Sequence, residues 1–182
     1  MSPTLSRQTV GVIGSGTLEY DEQATAVGAL LSDLGVNLLT GGGRGVMRSA
    51  SRGFVGRRHG PGICIGIIPC DSEENRATPK PGYPNEFVEL PIYTHLPYSG
   101  DLGTHDLSRN HINILSCAAI VSLPGEDGTI SEAALALRYR KPIVLFTPSQ
   151  DIVRRFPAAV PRVHRLEDVA QFLARHLHLN EG

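Results

Sequence analysis

Short apolar runs alternate with longer segments of helical periodicity along most of the chain. The runs are rich in Val, Ile and Leu, and most are followed by glycine or proline. Continuous apolar runs of this kind are typical of strands that are buried on both faces of a parallel sheet. The pattern predicts strands at Thr9–Ile13, Val36–Thr40, Ile63–Ile68, Val88–Tyr93, Ala119–Leu123 and Pro142–Phe146, with Val88–Tyr93 at an edge because Pro91 interrupts it. Val160–Val163 lies in a tail before the last predicted helix.

The segments between the runs carry apolar residues at helical spacing. In the first of them, Ala24, Val27 and Leu31 share one face, and Gly35 is suited to end the helix. The spacing predicts helices at Asp21–Leu34, at Val46–Val55, from Ser108, from Thr129 and at Leu166–Leu177. Alternating strands and helices predict an α/β fold, with a doubly wound, mostly parallel sheet and helices on both faces.

Three predicted strands end in glycine-rich turns, at Gly14–Gly16, Gly41–Gly45 and Gly125–Gly128. Ligands of open α/β sheets bind beyond the carboxyl ends of strands, and a glycine turn before a helix offers free N–H groups to an anion. Neither of the first two turns is a standard nucleotide motif: Glu19 stands where the dinucleotide fingerprint needs glycine, and no Lys-Ser/Thr follows Gly45. A tight turn and close helix–sheet packing are the respective alternatives to ligand contact.

Two charged residues, Arg109 and Glu132, flank the third turn. The arginine could clamp an anion, and the carboxylate could transfer a proton or stabilise developing positive charge. The alternatives are a solvated arginine at a helix start and a first-turn glutamate favoured by the helix dipole. Glu126 and Asp127 lie inside the turn, where they would repel phosphate. We therefore expect both carboxylates to point outward, or the turn to bind a less anionic ligand.

Composition narrows the classes of function. The formal net charge is −1, and aromatic residues make up 5% with no Trp, which disfavours nucleic acid as a partner. The three cysteines are scattered and form no CxxC pair, which indicates a reducing compartment and disfavours zinc. The chain has no long apolar run and no signal-like segment before the first strand, so we predict a cytoplasmic protein without a membrane partner.

Outside the strand pattern, the Pro69–Phe87 excursion is rich in proline, and we interpret it as a lid or a dimer rim. Among the histidines, His105 beside Asp106 could orient a substrate. Four others are expected at the surface: His59, His164, His176 and His178.

Two motifs together resemble a known family. Gly41–Met47 resembles the GGGxxGLM loop of the Lonely Guy-type proteins, and Leu123–Glu132 resembles their PGGxGTxxE motif. Arg109 stands where that family has the arginine of its HxRK motif, and the interval to Glu132 aligns without a gap. Asn110 after the arginine, and the Lys141-Pro142 pair, are more similar to the molybdenum cofactor carrier-like branch.

The chain departs from the enzymes of this family at two positions. Glu126 replaces the second glycine of PGG, and Asn110 replaces the lysine of HxRK. Both changes argue against high affinity for a highly charged phosphate.

The resemblance implies that residues 1–182 form a single Rossmann-like nucleotide-binding domain that assembles as a homodimer or a larger homo-oligomer. It implies a phosphoribohydrolase that cleaves the N-glycosidic bond of a nucleoside 5′-monophosphate, with Arg109 and Glu132 catalytic and without metal or cofactor. The alternative is a non-catalytic carrier of molybdenum cofactor, a pterin nucleotide, or a nucleotide sensor. The predicted nucleotide-binding residues are Gly14, Ser15, Gly41, Gly42, Gly43, Gly45, Val46, Met47, Asn110, Pro124, Gly125, Gly128 and Thr129.

Overall fold

The computed structural model describes residues 8–58, 60–147 and 155–178, so the expectation for His59 lies outside the described residues. In this part of the chain, the strands are β1 (Thr9–Ile13), β2 (Asn37–Thr40), β3 (Cys64–Ile68), β4 (Leu90–Tyr93), β5 (Ala119–Ser122), β6 (Ile143–Phe146) and β7 (Arg162–Val163). The α-helices are α1 (Asp21–Asp33), α2 (Val46–Arg57), α3 (Asn110–Leu115), α4 (Asp127–Arg138) and α5 (Leu166–His176). None of these helices is long and apolar enough to cross a membrane.

The strands form one sheet in the order β4-β3-β2-β1-β5-β6-β7, and every strand pair in it is parallel. The predicted α/β class is confirmed, and β4, which contains Pro91, lies at an edge as expected. The order of strands reverses between β1 and β5. This switch point opens a crevice beyond the carboxyl ends of the two strands, where ligands of such sheets bind.

Each face of the sheet has its own apolar core. Strand residues alternate between the faces, so Val10 and Val12 of β1 join one core while Ile13 joins the other. The first core is covered by α1, α2 and α5, through residues such as Leu31 and Phe172. The second is covered by α3 and α4, with Ile114 of α3 fully buried. Helices therefore cover both faces, as the pattern predicts.

Helices α1 and α2 cross at glycines, and this contact yields a stability prediction. A Cβ on Gly53 would lie 2.8 Å from the carbonyl carbon of Thr25, whereas a Cβ on Gly56 would meet no atom of the described residues within 4 Å. Gly53→Ala should lower the free energy of unfolding by about 1–3 kcal/mol through overpacking. Gly56→Ala, the matched control in the same helix, should raise it by about 0.5 kcal/mol. Chemical denaturation of both variants checks this, and equal effects would contradict the close crossing.

Candidate functional site

The Gly41–Gly45 turn is fixed from two sides. The Gly42 N–H donates to Thr40 Oγ1 at 3.0 Å, and the Gly42 carbonyl accepts the Asn85 N–H at 2.7 Å. The buried Asn85 amide also donates from Nδ2 to the Gly43 carbonyl at 2.8 Å. The end of the Pro69–Phe87 excursion therefore folds back over the glycine turn and holds its backbone in one conformation.

The three predicted glycine turns meet at the switch point. The Val46 N–H donates to the Ser15 carbonyl at 2.9 Å, and the Ser15 N–H donates to the Pro124 carbonyl at 3.1 Å. Gly45 has φ of 60°, and a Cβ there would collide with the Ser15 carbonyl oxygen, so this position requires glycine. These hydrogen bonds join the carboxyl ends of β1, β2 and β5. They also occupy the N–H groups of Ser15 and Val46, which are therefore not free to bind a ligand.

A cleft of about 870 Å³ opens between the glycine turn and the excursion. One arginine of the cleft, Arg44, is exposed and forms no ion pair with any residue that the structure describes. Arg48 also faces the cleft, but Glu86 at 2.5 Å and Glu19 at 3.9 Å neutralise it. The lining residues are Gly16, Thr17, Glu19, Arg44, Gly45, Arg48, Gly82, Tyr83, Pro84, Asn85 and Glu86.

Of these lining residues, Gly45 was predicted from the sequence as a binding residue. Three others, Arg44, Arg48 and Tyr83, were not predicted as binding residues. Helical spacing gave no signal for the two arginines, because Arg44 lies in the glycine turn before α2, which begins at Val46. Two further predicted residues, Gly43 and Met47, lie just behind the lining. A Cβ on Gly43 would lie 2.7 Å from both Met47 Cε and Tyr83 Oη.

Arg109 lies inside the protein and not at its surface. The residue is 5% exposed, and Nη1 donates to the Ile67 carbonyl at 2.9 Å. Its guanidinium lies against Gly41, with its central carbon 5.9 Å from the centre of the Tyr83 ring. Its Nε is buried and has no hydrogen-bond partner in the described part of the chain. The solvated-surface alternative for Arg109 is wrong, because the guanidinium fills the space above Gly41.

Glu132 lies within the electrostatic reach of Arg109 and is oriented by Asn113. The Asn113 Nδ2 donates to Glu132 Oε1 at 3.0 Å, while Asn113 Oδ1 is buried and has no hydrogen-bond partner among the residues that the structure describes. Burial raises the pKa of the Glu132 carboxyl above its ordinary value, although Arg109 and the Asn113 amide act in the opposite direction. A carboxyl with a raised pKa is suited to proton transfer near neutral pH.

The raised pKa of Glu132 predicts a pH-dependent effect of Glu132→Gln. A carboxyl whose pKa is raised on folding stabilises the protein below its unfolded-state pKa, and this contribution is lost as pH rises through the folded-state pKa. The glutamine does not titrate, so the variant does not lose this stability as the pH rises. The difference in melting temperature, variant minus wild type, should therefore become more positive from pH 4 to pH 8. Thermal unfolding across this range checks the sign, and a trend toward negative values would contradict the burial of Glu132.

The Glu126 carboxylate does not simply point outward. The residue is exposed, but its Oε1 accepts hydrogen bonds from Ser15 Oγ at 2.7 Å and Thr17 Oγ1 at 3.0 Å. The outward expectation is therefore wrong for Glu126, because hydroxyl donors of the β1 turn attract its carboxylate. Asp127 does turn outward and pairs with Arg155 at 2.9 Å. Helix α4 also begins at Asp127, two residues before the predicted start at Thr129.

The remaining predicted binding residues lie around the third turn and α3. Gly14 packs on Val46, and Gly125 packs between Ser15 and the buried Thr129. Gly128 is covered by Gly100, whose α-carbon would lie 3.6 Å from a Cβ on Gly128. Asn110 is buried beside Gly103. The structure thus brings the glycine turns together, while Asn110 and Gly128 lie under the 98–103 segment.

The histidines near the site contact other side chains of the protein. His111 Nδ1 lies 2.7 Å from Tyr139 Oη, and the exposed His105 ring packs edge-on against Tyr98. The expectation of surface positions is confirmed for three histidines, His164, His176 and His178. The three cysteines are buried and free, and burial raises the pKa of Cys64 to about 11 and that of Cys117 to about 12.

The fold and the convergent glycine turns define an α/β protein with a ligand crevice at the switch point of a parallel sheet. The chain belongs to the SLOG cluster4 family, which it matches over residues 7–173. This membership confirms the predicted superfamily of Lonely Guy-type and molybdenum cofactor carrier-like proteins, whose members bind nucleotides or pterins.

Individual relatives agree with this assignment. The chain is 32% identical over 143 residues to an uncharacterized protein of Archaeoglobus fulgidus, an alignment that covers 76% of this chain and 80% of the relative. Among solved structures, it is similar to the molybdenum cofactor binding protein of Rippkaea orientalis (TM-score 0.73, 27% identity, covering 94% of this chain and 98% of that one). It is also similar to the molybdenum cofactor carrier protein of Chlamydomonas reinhardtii (TM-score 0.65, 27% identity, covering 92% and 99%).

Proposed function

We propose that this chain binds a phosphorylated nucleotide or pterin, of the molybdenum cofactor type, in the cleft beside Arg44 and carries it without hydrolysing it. The observation that carries this proposal is the contrast between the two arginines. Arg44 is exposed in the cleft and pairs with no carboxylate among the described residues, whereas Arg109 is 5% exposed and bonded to the Ile67 carbonyl. A free guanidinium binds phosphate by strong charge-assisted hydrogen bonds, which a buried one cannot offer to a ligand in the cleft.

The rest of the cleft suits such a ligand. Its volume of about 870 Å³ lies within the range of small-molecule sites. Tyr83 adds an aromatic surface against which a planar base or pterin could pack. Two structural neighbours at 27% identity are molybdenum cofactor binding or carrier proteins, and the alignments span nearly all of both chains. This similarity supports a pterin nucleotide as the ligand class.

Hydrolysis of a nucleoside 5′-monophosphate is the second candidate, and the Arg109–Glu132 pair favours it. In this reaction, water attacks C1′ of the ribose, the C1′–N bond breaks, and the products are free base and ribose 5-phosphate. Glu132 would stabilise the positive charge at C1′, accept a proton from the water and return it to the departing base. Arg109 would have to leave the Ile67 carbonyl to reach the ribose or its phosphate.

One experiment separates the two candidates. Purified protein is titrated calorimetrically with AMP, CMP, GMP and molybdenum cofactor, and each mixture is then analysed by chromatography for free base. We expect binding with no base release above that of Glu132→Gln. Base release that Glu132→Gln abolishes would overturn the carrier proposal in favour of hydrolysis, and absence of binding to all four ligands would overturn both.

A further inference from the structure

The donors of the β1 turn converge on one internal carboxylate. The Ser15 and Thr17 hydroxyls both donate to Glu126 Oε1, at 2.7 Å and 3.0 Å, and the Gly16 N–H also interacts with this carboxylate. Ser15 is fully buried, and its Oγ accepts the N–H groups of Thr17 at 3.1 Å and Leu18 at 2.8 Å. The hydrogen-bond donors of the turn therefore already bind an anion, which is the protein's own Glu126 carboxylate.

The turn that binds the Glu126 carboxylate lies where a ligand is expected to bind. It follows β1 at the switch point, where open α/β sheets bind the anionic part of their ligands. Gly16 and Thr17 also line the cleft that contains Arg44. A phosphate at this turn would have to displace the Glu126 carboxylate or lie against it, with repulsion between like charges. Burial raises the pKa of Glu126, but the hydrogen bonds from the turn outweigh it and lower the pKa, so the carboxylate is ionised at neutral pH.

We propose that Glu126 determines ligand specificity by closing the β1 turn to phosphate, so that a ligand's phosphate binds only on the Arg44 side of the cleft. The turn would then accept the uncharged part of a ligand and exclude one that brings a second phosphate there. This inference rests on the proposed function, because it assumes that the cleft binds a phosphorylated ligand.

Inorganic phosphate is the probe that tests Glu126 directly. Calorimetric titration at neutral pH compares wild type with Glu126→Ala and with Asp127→Ala, the matched control that removes the adjacent exposed carboxylate. Glu126→Ala should bind phosphate more tightly by on the order of tenfold, because the freed donors gain a charge-assisted partner. Asp127→Ala should stay within about twofold of wild type, because a solvent-exposed charge is screened. Equal phosphate affinity in the two variants would overturn the proposal.

Two further variants locate the bound phosphate. Adding Thr17→Val to Glu126→Ala should reduce the gain, because the turn then loses one of its donors. A gain of undiminished size in this double variant would show that phosphate binds elsewhere, and would also overturn the proposal. Glu126→Gln keeps the length of the side chain while removing its charge, and should give a smaller gain. It serves as the folded comparison if Glu126→Ala is unstable, and no gain in it would then count against the proposal.

The phosphate titration and the nucleotide titration that tests the proposed function can fail independently of each other. Wild-type protein that binds no nucleotide or pterin contradicts the proposed function, whatever Glu126→Ala does. A gain of phosphate binding in Glu126→Ala still supports the blocked turn in that case. Nucleotide binding by wild type without any phosphate gain in Glu126→Ala would overturn only the role of Glu126.

Discussion

Replacing Arg44 with alanine is expected to weaken nucleotide or pterin binding by roughly 10- to 100-fold. Hydrogen bonds to charged groups contribute about 1.5–3 kcal/mol, which corresponds to this range of affinity. Among the described residues that line the cleft, Arg44 is the arginine without an ion-pair partner, so the loss of its charge is not compensated by Arg48. Calorimetric titration of the variant with GMP and with molybdenum cofactor measures the change.

The matched control for Arg44 is Arg57→Ala. Arg57 is the last residue of α2 and pairs with Asp33 at 3.0 Å, away from the cleft. Its removal subtracts the same charge from the protein and should change affinity by less than about twofold. Equal losses of affinity in the two variants would mean that Arg44 acts through net charge alone, and unchanged affinity in Arg44→Ala would place the ligand elsewhere.

Arg109→Ala should have the largest effect on stability, lowering the free energy of unfolding by about 3–5 kcal/mol. The change removes the donor to the Ile67 carbonyl and the positive charge that acts on Glu132, and it opens a void above Gly41. Denaturant unfolding of wild type and variant measures the loss.

The control for Arg109 is Arg175→Ala, since Arg175 is an exposed arginine near the end of α5. Its removal should cost no more than about 0.5 kcal/mol. A variant of Arg109 as stable as this control would indicate that the Arg109 guanidinium is not bound in the interior. Arg109 would then be available to a ligand, which would favour hydrolysis over carriage.

Most of the fold could be predicted because the apolar pattern that marks each strand or helix lies within a short stretch of sequence. The inner strands of this sheet are buried on both faces, so they appear in the sequence as continuous apolar runs, and Pro91 marks the edge strand β4. Within the predicted strands and helices, the errors lie at the ends of the elements. Helix α4, for example, begins at Asp127 because the Glu126 carbonyl already accepts the N–H groups of Thr129 and Ile130.

The meeting of the glycine turns was also predictable, since parallel strands bring their carboxyl ends to the same edge of a sheet. The direction of individual side chains was not. The cleft depends on Asn85 reaching back to Gly43, 42 residues away, and this contact brings Tyr83 opposite Arg44. The orientation of Glu126 depends on Ser15, 111 residues away. Local patterns carry no information about such contacts.

Nucleotide binding beside Arg44 is tested most directly by a crystal structure of this protein soaked with GMP. We expect an intact nucleotide in the cleft, with its phosphate within hydrogen-bond distance of the Arg44 guanidinium and beside Gly45, and with Glu126 still bound to Ser15 and Thr17. A phosphate bound to Arg109 or to the Gly125–Thr129 turn, with the ribose against Glu132, would contradict this expectation.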